Sequence, residues 1–428
     1  MRTLVVTGVV AAVVLTLTAA APGGGQPLGR QVLAPNDGWA AAGPGTTGGS
    51  AAPRGHVHVV DDRNELVAAL AAPAPRIVYV RGEIDGNTDD AGRPLDCADY
   101  AADGYRLDDY LAAYDPEVWG RDTEPSGPLE DARAASADNQ AERIRIPVGS
   151  DTTIVGLGRH AVLKGLNLHV DDADNVIVRN LTFDDAADCF PAWDPTDGDL
   201  GAWNSEYDNL SVTGSTHVWV DHNTFTDGDN PDSAQPRYFG QPYQVHDGQL
   251  DITHGSDLVT VSWNRFTDHD KTMLIGSTNN PANDRGKLNV TVHHNLFANT
   301  LQRLPRVRFG QVHVYNNHYR VPDSLSYAVG IGVESRIVAE SNTFRLAPDV
   351  EPDALLHDWG GTALTARDNL AGSHHLAPVD LVAEYNAVHD PDLGADADWE
   401  PILHTGIHDA RSVPWLVSLW SGAGTIDR

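Results

Sequence analysis

The chain has 428 residues, with 60 acidic against 29 basic side chains and a formal net charge of -31. That excess excludes a nucleic-acid partner, whose binding rests on neutralising phosphates, and any attraction to an anionic membrane surface. A hydrophobic fraction of 41% supports a folded core, while 40 Gly and 26 Pro announce many turns.

Met1 and Arg2 precede an apolar run, Thr3 to Ala21, that ends in three alanines. Charged, apolar and small residues in that order predict a secretory signal over 1–21 and an extracellular location; a retained anchor is the alternative. Residues 22–53 are rich in Gly, Ala, Pro and Thr, and are expected to lie extended on the fold or to be partly disordered. Cys97 and Cys189 suit a single disulfide in an exported protein, with two free buried thiols as the alternative, and two cysteines cannot frame a zinc site.

A nine-residue pattern then recurs: NVIVRNLTF at 175–183, HVWVDHNTF at 217–225, LVTVSWNRF at 258–266, NVTVHHNLF at 289–297, QVHVYNNHY at 311–319 and RIVAESNTF at 336–344. Each unit alternates with period two and is rich in β-branched residues, as a strand requires. Asn fills the seventh place at Asn223, Asn264, Asn295, Asn317 and Asn342, and an aromatic closes each unit at Phe183, Phe225, Phe266, Phe297, Tyr319 and Phe344. Stacked turns about 4.8 Å apart would align these residues into an amide ladder and an aromatic ladder. The pattern predicts an all-β, single-domain β-solenoid rather than a propeller. Insertions between 184 and 208, 226 and 257, and 278 and 288 fall on one side as loops that form a groove.

Acidic and basic residues gather around those insertions. Glu206 and Asp208 are two apart, so on a strand they would share a face, and Asp247 and Asp251 follow in HDGQLDITHG. Hard oxygen donors in this number suit calcium. Lys271, one of three lysines in the chain, stands in DHDKTMLIG, and Arg303, Arg306 and Arg308 stand in QRLPRVRFG. On a plain strand Arg303 would oppose the other two. A bend at the intervening proline would bring it round, so spacing leaves its direction open.

The stretch HDGQLDITHGSDLVTVSWNRFTDHDKTMLIG, then KLNVTVHHNLFANTLQRLPRVRFGQVHVYNNHY, resembles the extracellular pectate lyases of polysaccharide lyase family 1. SEYDNLSVTGSTHVWVDHNTF, FPAWDPTDGDLGAWNSEYDN and NDGWAAAGPGTTGG fit the same resemblance, which covers nearly all the chain after the signal. It implies a right-handed parallel β-helix over 54–428 that acts, as a monomer, on the polyuronate pectate by β-elimination with Ca2+. Asp208, Asp247 and Asp251 match primary calcium ligands, and Glu206 a position that helps hold a further calcium with substrate. Arg303 matches the catalytic base, and Lys271 and Arg308 match groups that bind substrate carboxylate. Asp221 and His222 match a signature beside the groove with a structural role, and Asp268, His269 and Asp270 are near the cleft by position. An arginine acts as a base only after losing its proton, so an alkaline optimum is expected. The rivals are a pectin lyase for methylated polymer, a hydrolase with paired carboxylates, and a non-catalytic polysaccharide-binding β-helix.

Overall fold

The computed structural model describes residues 26–426; the expected signal at 1–21 lies outside them. From Val57 onward the chain winds through three sheets, each turn adding about one strand to each. The first sheet has ten strands and includes Asp174–Arg179, Thr216–Asp221, Asp257–Ser262 and Val290–His293. The second, also ten-stranded, includes Thr224–Thr226, Arg265–Lys271 and Leu296–Gln302. The third has eight strands, among them Leu210–Thr213, Leu250–Thr253, Leu274–Ile275, Arg306–Val307 and Val329–Gly332. Neighbouring turns pair in parallel and in register, for example Val218 with Val259 and Phe225 with Phe266. With the right-handed crossover that parallel strands impose, this is a right-handed parallel β-helix.

The nine-residue pattern is the corner between the first and second sheets. Strands end at Arg179, Asp221, Ser262, His293, Tyr315, Glu340 and Arg367, and the next begins three residues later each time. The first of the two corner residues is always left-handed, as at His222 (φ 53°), Trp263 (φ 55°) and His294 (φ 55°). That conformation is costly for a residue with a Cβ. From Asn223 onward the second corner residue is an asparagine whose amide bonds the backbone and, up to Asn369, the next amide. Asn223 donates to Asn264 at 3.1 Å, and the chain of amides runs on through Asn295, Asn317 and Asn342 to Asn369. Two residues on, the rings from Phe183 to Phe344 stack at centroid spacings of 4.5–5.0 Å inside the helix. Each such pair contributes about 0.5–1.5 kcal/mol beyond its buried area.

Alternation decides the rest. Val218, Val220, Val259 and Val261 fill the interior. The outward Ile177 and Trp219 are buried too, beneath Leu33 and Ala40 of the N-terminal segment. That segment is pinned by backbone donors at Trp39 and Ala40 to the hydroxyls of Thr291 and Thr260, both at 3.0 Å. Helices Arg63–Leu70, Leu107–Tyr114, Pro128–Ile144 and Val413–Trp420 interrupt or flank the winding, and the repeat gives no sign of them. Cys97 and Cys189 form the disulfide, Cα–Cα 5.3 Å, tying the helical excursion to an insertion beside the third sheet. A covalent loop of 92 residues removes about 4–5 kcal/mol of unfolded-state entropy in the chain-entropy account.

Candidate active site

The long connections flank the third sheet: 185–209 and 227–249 lead into it, and 276–289 lead out. Three carboxylates meet there. One oxygen each from Asp208, Asp247 and Asp251 can be drawn such that all lie within 4.8 Å of one another. Asp251 is the second residue of Leu250–Thr253, and Asp208 stands two residues before Leu210 on the adjacent turn. Backbone and hydroxyl donors hold the cluster. Asp208 accepts from the Gly248 N–H at 2.9 Å and from the Ser211 hydroxyl at 2.6 Å, and Asp251 accepts from the Leu274 N–H at 2.9 Å. Gly248 permits it, since a Cβ there would sit 2.6 Å from an oxygen of both Asp208 and Asp251.

Burial pushes the Asp208 carboxyl up to about 7, and the charge of Asp247 adds to the push. Asp251 is raised well above the usual carboxylate range by burial, then by Asp208 and Asp247. These groups resist ionising together without a cation. Hard oxygen donors, close convergence and mutual repulsion of the carboxylates fit calcium.

The basic residues lie on the next turns. Lys271 ends Arg265–Lys271, and its Nζ is 3.4 Å from Asp247 Oδ1. Arg303 follows Leu296–Gln302 in a left-handed bend (φ 60°), and its positive charge acts on both Asp208 and Asp251. The bend turns Arg303 to the carboxylates, which spacing had left open. Its Nε is buried and has no hydrogen-bond partner among the described residues. Arg308, buried, is fixed by Nε to Asn279 Oδ1 at 2.8 Å and by Nη1 to the Gly276 carbonyl at 2.7 Å. Burial and then Arg303 lower its basicity. Arg306 points elsewhere, its guanidinium 4.0 Å from the Trp359 ring centroid.

The family described as pectate lyase matches residues 126–373, more than half of the chain. The chain belongs to the pectate lyase family. It is 45% identical over 408 residues to a pectate lyase of Bacillus subtilis, covering 94% of each. Against pectate lyase E of Dickeya chrysanthemi it is 38% identical over 322 residues, 73% of this chain and 68% of that one. It superposes on a thermostable pectate lyase with a TM-score of 0.92 at 45% identity, covering 94% of this chain and 100% of that one. On a pectate lyase bound to a hexasaccharide the TM-score is 0.89 at 44% identity, with coverage of 93% and 99%. The protein is a polysaccharide lyase.

Two expectations about this pectate lyase's site need correction. Glu206 and Asp208 are not on a strand: they lie in the connection before Leu210, where Asp208 is buried and Glu206 exposed, outside the three-carboxylate group. Asp221 and His222 do not flank the groove. They sit at the corner of the first and second sheets, where Asp221 accepts from Arg179 and Ser262 and pairs with His222 at 2.7 Å. Sequence reasoning also passed over Asn279, which orients Arg308. Asp268, His269 and Asp270 line a cavity of about 280 Å³ with Asp227 and Asp232.

Proposed function

We propose that this protein is a secreted, calcium-dependent pectate lyase that cleaves α-1,4-polygalacturonate by β-elimination, releasing 4,5-unsaturated oligogalacturonides. The observation that carries the reading is the meeting of Asp208, Asp247 and Asp251 with Lys271 and Arg303, with Arg308 beside Arg303, across adjacent turns of the β-helix. A site assembled wholly within one chain supports action as a monomer, and the signal-like leader supports export.

Each sugar of the substrate carries a carboxylate next to C5, and that carboxylate resists the negative charge left when the C5 proton departs. Asp208, Asp247 and Asp251, with Glu206 joining when substrate is present, would hold calcium, which supplies positive charge against the uronate. Lys271 and Arg308 pair with the carboxylate and stabilise charge as it develops, the kind of term that often dominates catalysis. Arg303, in its neutral form, takes the C5 proton, the C5–H electron pair forms the C4–C5 double bond as the C4–O bond breaks, and the departing oxygen takes a proton from water. The full set of carboxylates speaks against a pectin lyase, and the basic triad has no place in a two-carboxylate hydrolysis.

The test is an ultraviolet absorbance trace on polygalacturonate with calcium, then with excess chelator. The expected result is a rise that stops on chelation and is faster at alkaline pH. Reducing ends without the unsaturated-uronide band, or a rise indifferent to chelator, would overturn the reading.

A further inference from the structure

Asp247 is the carboxylate with least ladder support. Residues 243–247 lie outside every strand, between Gln241–Pro242 and Leu250–Thr253. Part of this segment's backbone bonds other backbone, as Tyr243 N–H to the Pro236 carbonyl at 2.9 Å and Asp247 N–H to the Tyr207 carbonyl at 3.4 Å, and the Val245 N–H and the Asp247 carbonyl turn to side chains. Two buried histidines and three aspartates form the network around them. His269 Nδ1 is 2.7 Å from Asp227 Oδ1, and its Nε2 is 2.9 Å from the Asp247 carbonyl oxygen. His246 reaches Asp232 Oδ1 at 3.1 Å and Asp185 Oδ1 at 3.0 Å, while the Val245 N–H donates to the same Asp232 oxygen at 2.9 Å. Both rings are almost wholly enclosed, with side-chain exposures of 1% for His269 and 3% for His246.

Donor and acceptor counting fixes the direction of the His269 contacts. A carbonyl oxygen only accepts, so Nε2 carries a hydrogen and donates to Asp247. Nδ1 and Asp227 Oδ1 share the remaining hydrogen. Asp227 therefore orients the His269 ring, and His269 fixes the main chain of the residue whose carboxylate completes the cluster. The arrangement is a carboxylate–histidine–carbonyl chain spanning two turns of the β-helix, since Asp227 and His269 are 42 positions apart.

We propose that His269, oriented by Asp227, is a positioning residue that sets the calcium affinity of the Asp208–Asp247–Asp251 cluster. The pair acts through the Asp247 main chain and touches neither substrate nor metal. His246, held by Asp185 and Asp232, belongs to the same segment and lies edge-on to His269, with ring centroids 6.2 Å apart and its Nδ1 3.7 Å from Asp227 Oδ2. The inference rests on the calcium reading of the cluster.

Calorimetric titration of calcium into the metal-stripped full-length protein tests it, using wild type, Asp251→Asn, His269→Ala, His269→Gln and Asp227→Asn. Outer partners of metal ligands typically change affinity by about 10–100-fold. His269→Ala and Asp227→Asn are expected to weaken calcium binding by about tenfold or more. Turnover at saturating calcium should fall by much less, so calcium restores most of the rate. His269→Gln keeps a donor within reach of the Asp247 carbonyl and should recover part of the affinity. Asp227→Asn preserves volume and carries the test if His269→Ala does not fold. Wild-type affinity in both folded variants would overturn the proposal and leave the calcium site standing. A wild type that binds no calcium, or an Asp251→Asn variant that binds as wild type does, would overturn the site itself and the proposal with it.

Discussion

Two buried aspartates on opposite flanks of the same solenoid are set in opposite directions. Asp221, at the corner of the first and second sheets, meets His222, Arg179 and Ser262. Burial alone would raise its carboxyl, but the charges of His222 and Arg179 outweigh burial and hold it well below the usual range. Asp251, on the third sheet, is raised well above that range by burial and by Asp208 and Asp247. One flank closes its own charge balance and is finished as structure. The other crowds three carboxylates that Lys271 and Arg303 only partly offset, and an added cation would let them ionise together. Function sits where the protein leaves an electrostatic account open.

The largest expected effect separates the flanks by activity. Arg303→Ala should lower kcat by about 10³-fold with the circular dichroism spectrum retained, whereas Asp221→Asn should leave kcat at saturating calcium near wild type. Steady-state kinetics with the roles reversed would break the comparison. Next is stability. Asp221→Asn strands the buried Arg179 and should cost about 3–5 kcal/mol in urea unfolding.

A smaller effect sharpens the contrast through pH. The Asp208 carboxyl, at about 7 when folded, lies above its unfolded value, so its contribution to stability is present in acid and lost as pH rises from about 4 through 7. Asp221 has the opposite sign: its contribution is present above about 4 and lost in stronger acid. In chelator the melting temperature should therefore fall between pH 5 and 8, and calcium should remove that fall. In chelator at pH 8, Asp251→Asn should melt about 2 °C higher than wild type. An unchanged or lower melting temperature would mean that the cluster is not under like-charge strain. The smallest effect concerns orientation alone. Asn279→Ala frees one contact of Arg308 and should raise KM about threefold with little change in kcat.

How much of this was legible in the sequence follows from the range of the interactions. The amide and aromatic ladders recur at a fixed offset, so the repeat announced them from Phe183 to Phe344. The ladder's last amide, Asn369, escaped because Ala371 takes the aromatic place. The same offset held an unread signal about Asp221 and His222. They align with Ser262 and Trp263 on the next turn, which places them at the corner and away from the groove. Glu206 and Asp208 misled because a spacing of two reads as a strand, while the chain there has no ladder partner until Leu210. The sequence puts His269 near the cleft by position, but its meeting with Asp227 and His246 was beyond reach. Their contacts cross between turns separated by insertions of irregular length, and no local pattern encodes such a meeting.

The two-residue corner has a consequence for how this molecule can change. Seven successive corners keep the same length while whole turns range from 22 to 42 residues. All that variation is spent beside the third sheet, so the amide ladder works as a fixed spine and the loops as interchangeable attachments. An engineer could lengthen or shorten the 227–249 or 276–289 connections to retune which polymers the groove admits, provided that Asp227, Asp232, His246, Asp247, Gly248 and Asn279 keep their places. The ladder's register would stay as it is, since none of its bonds passes through the altered segments.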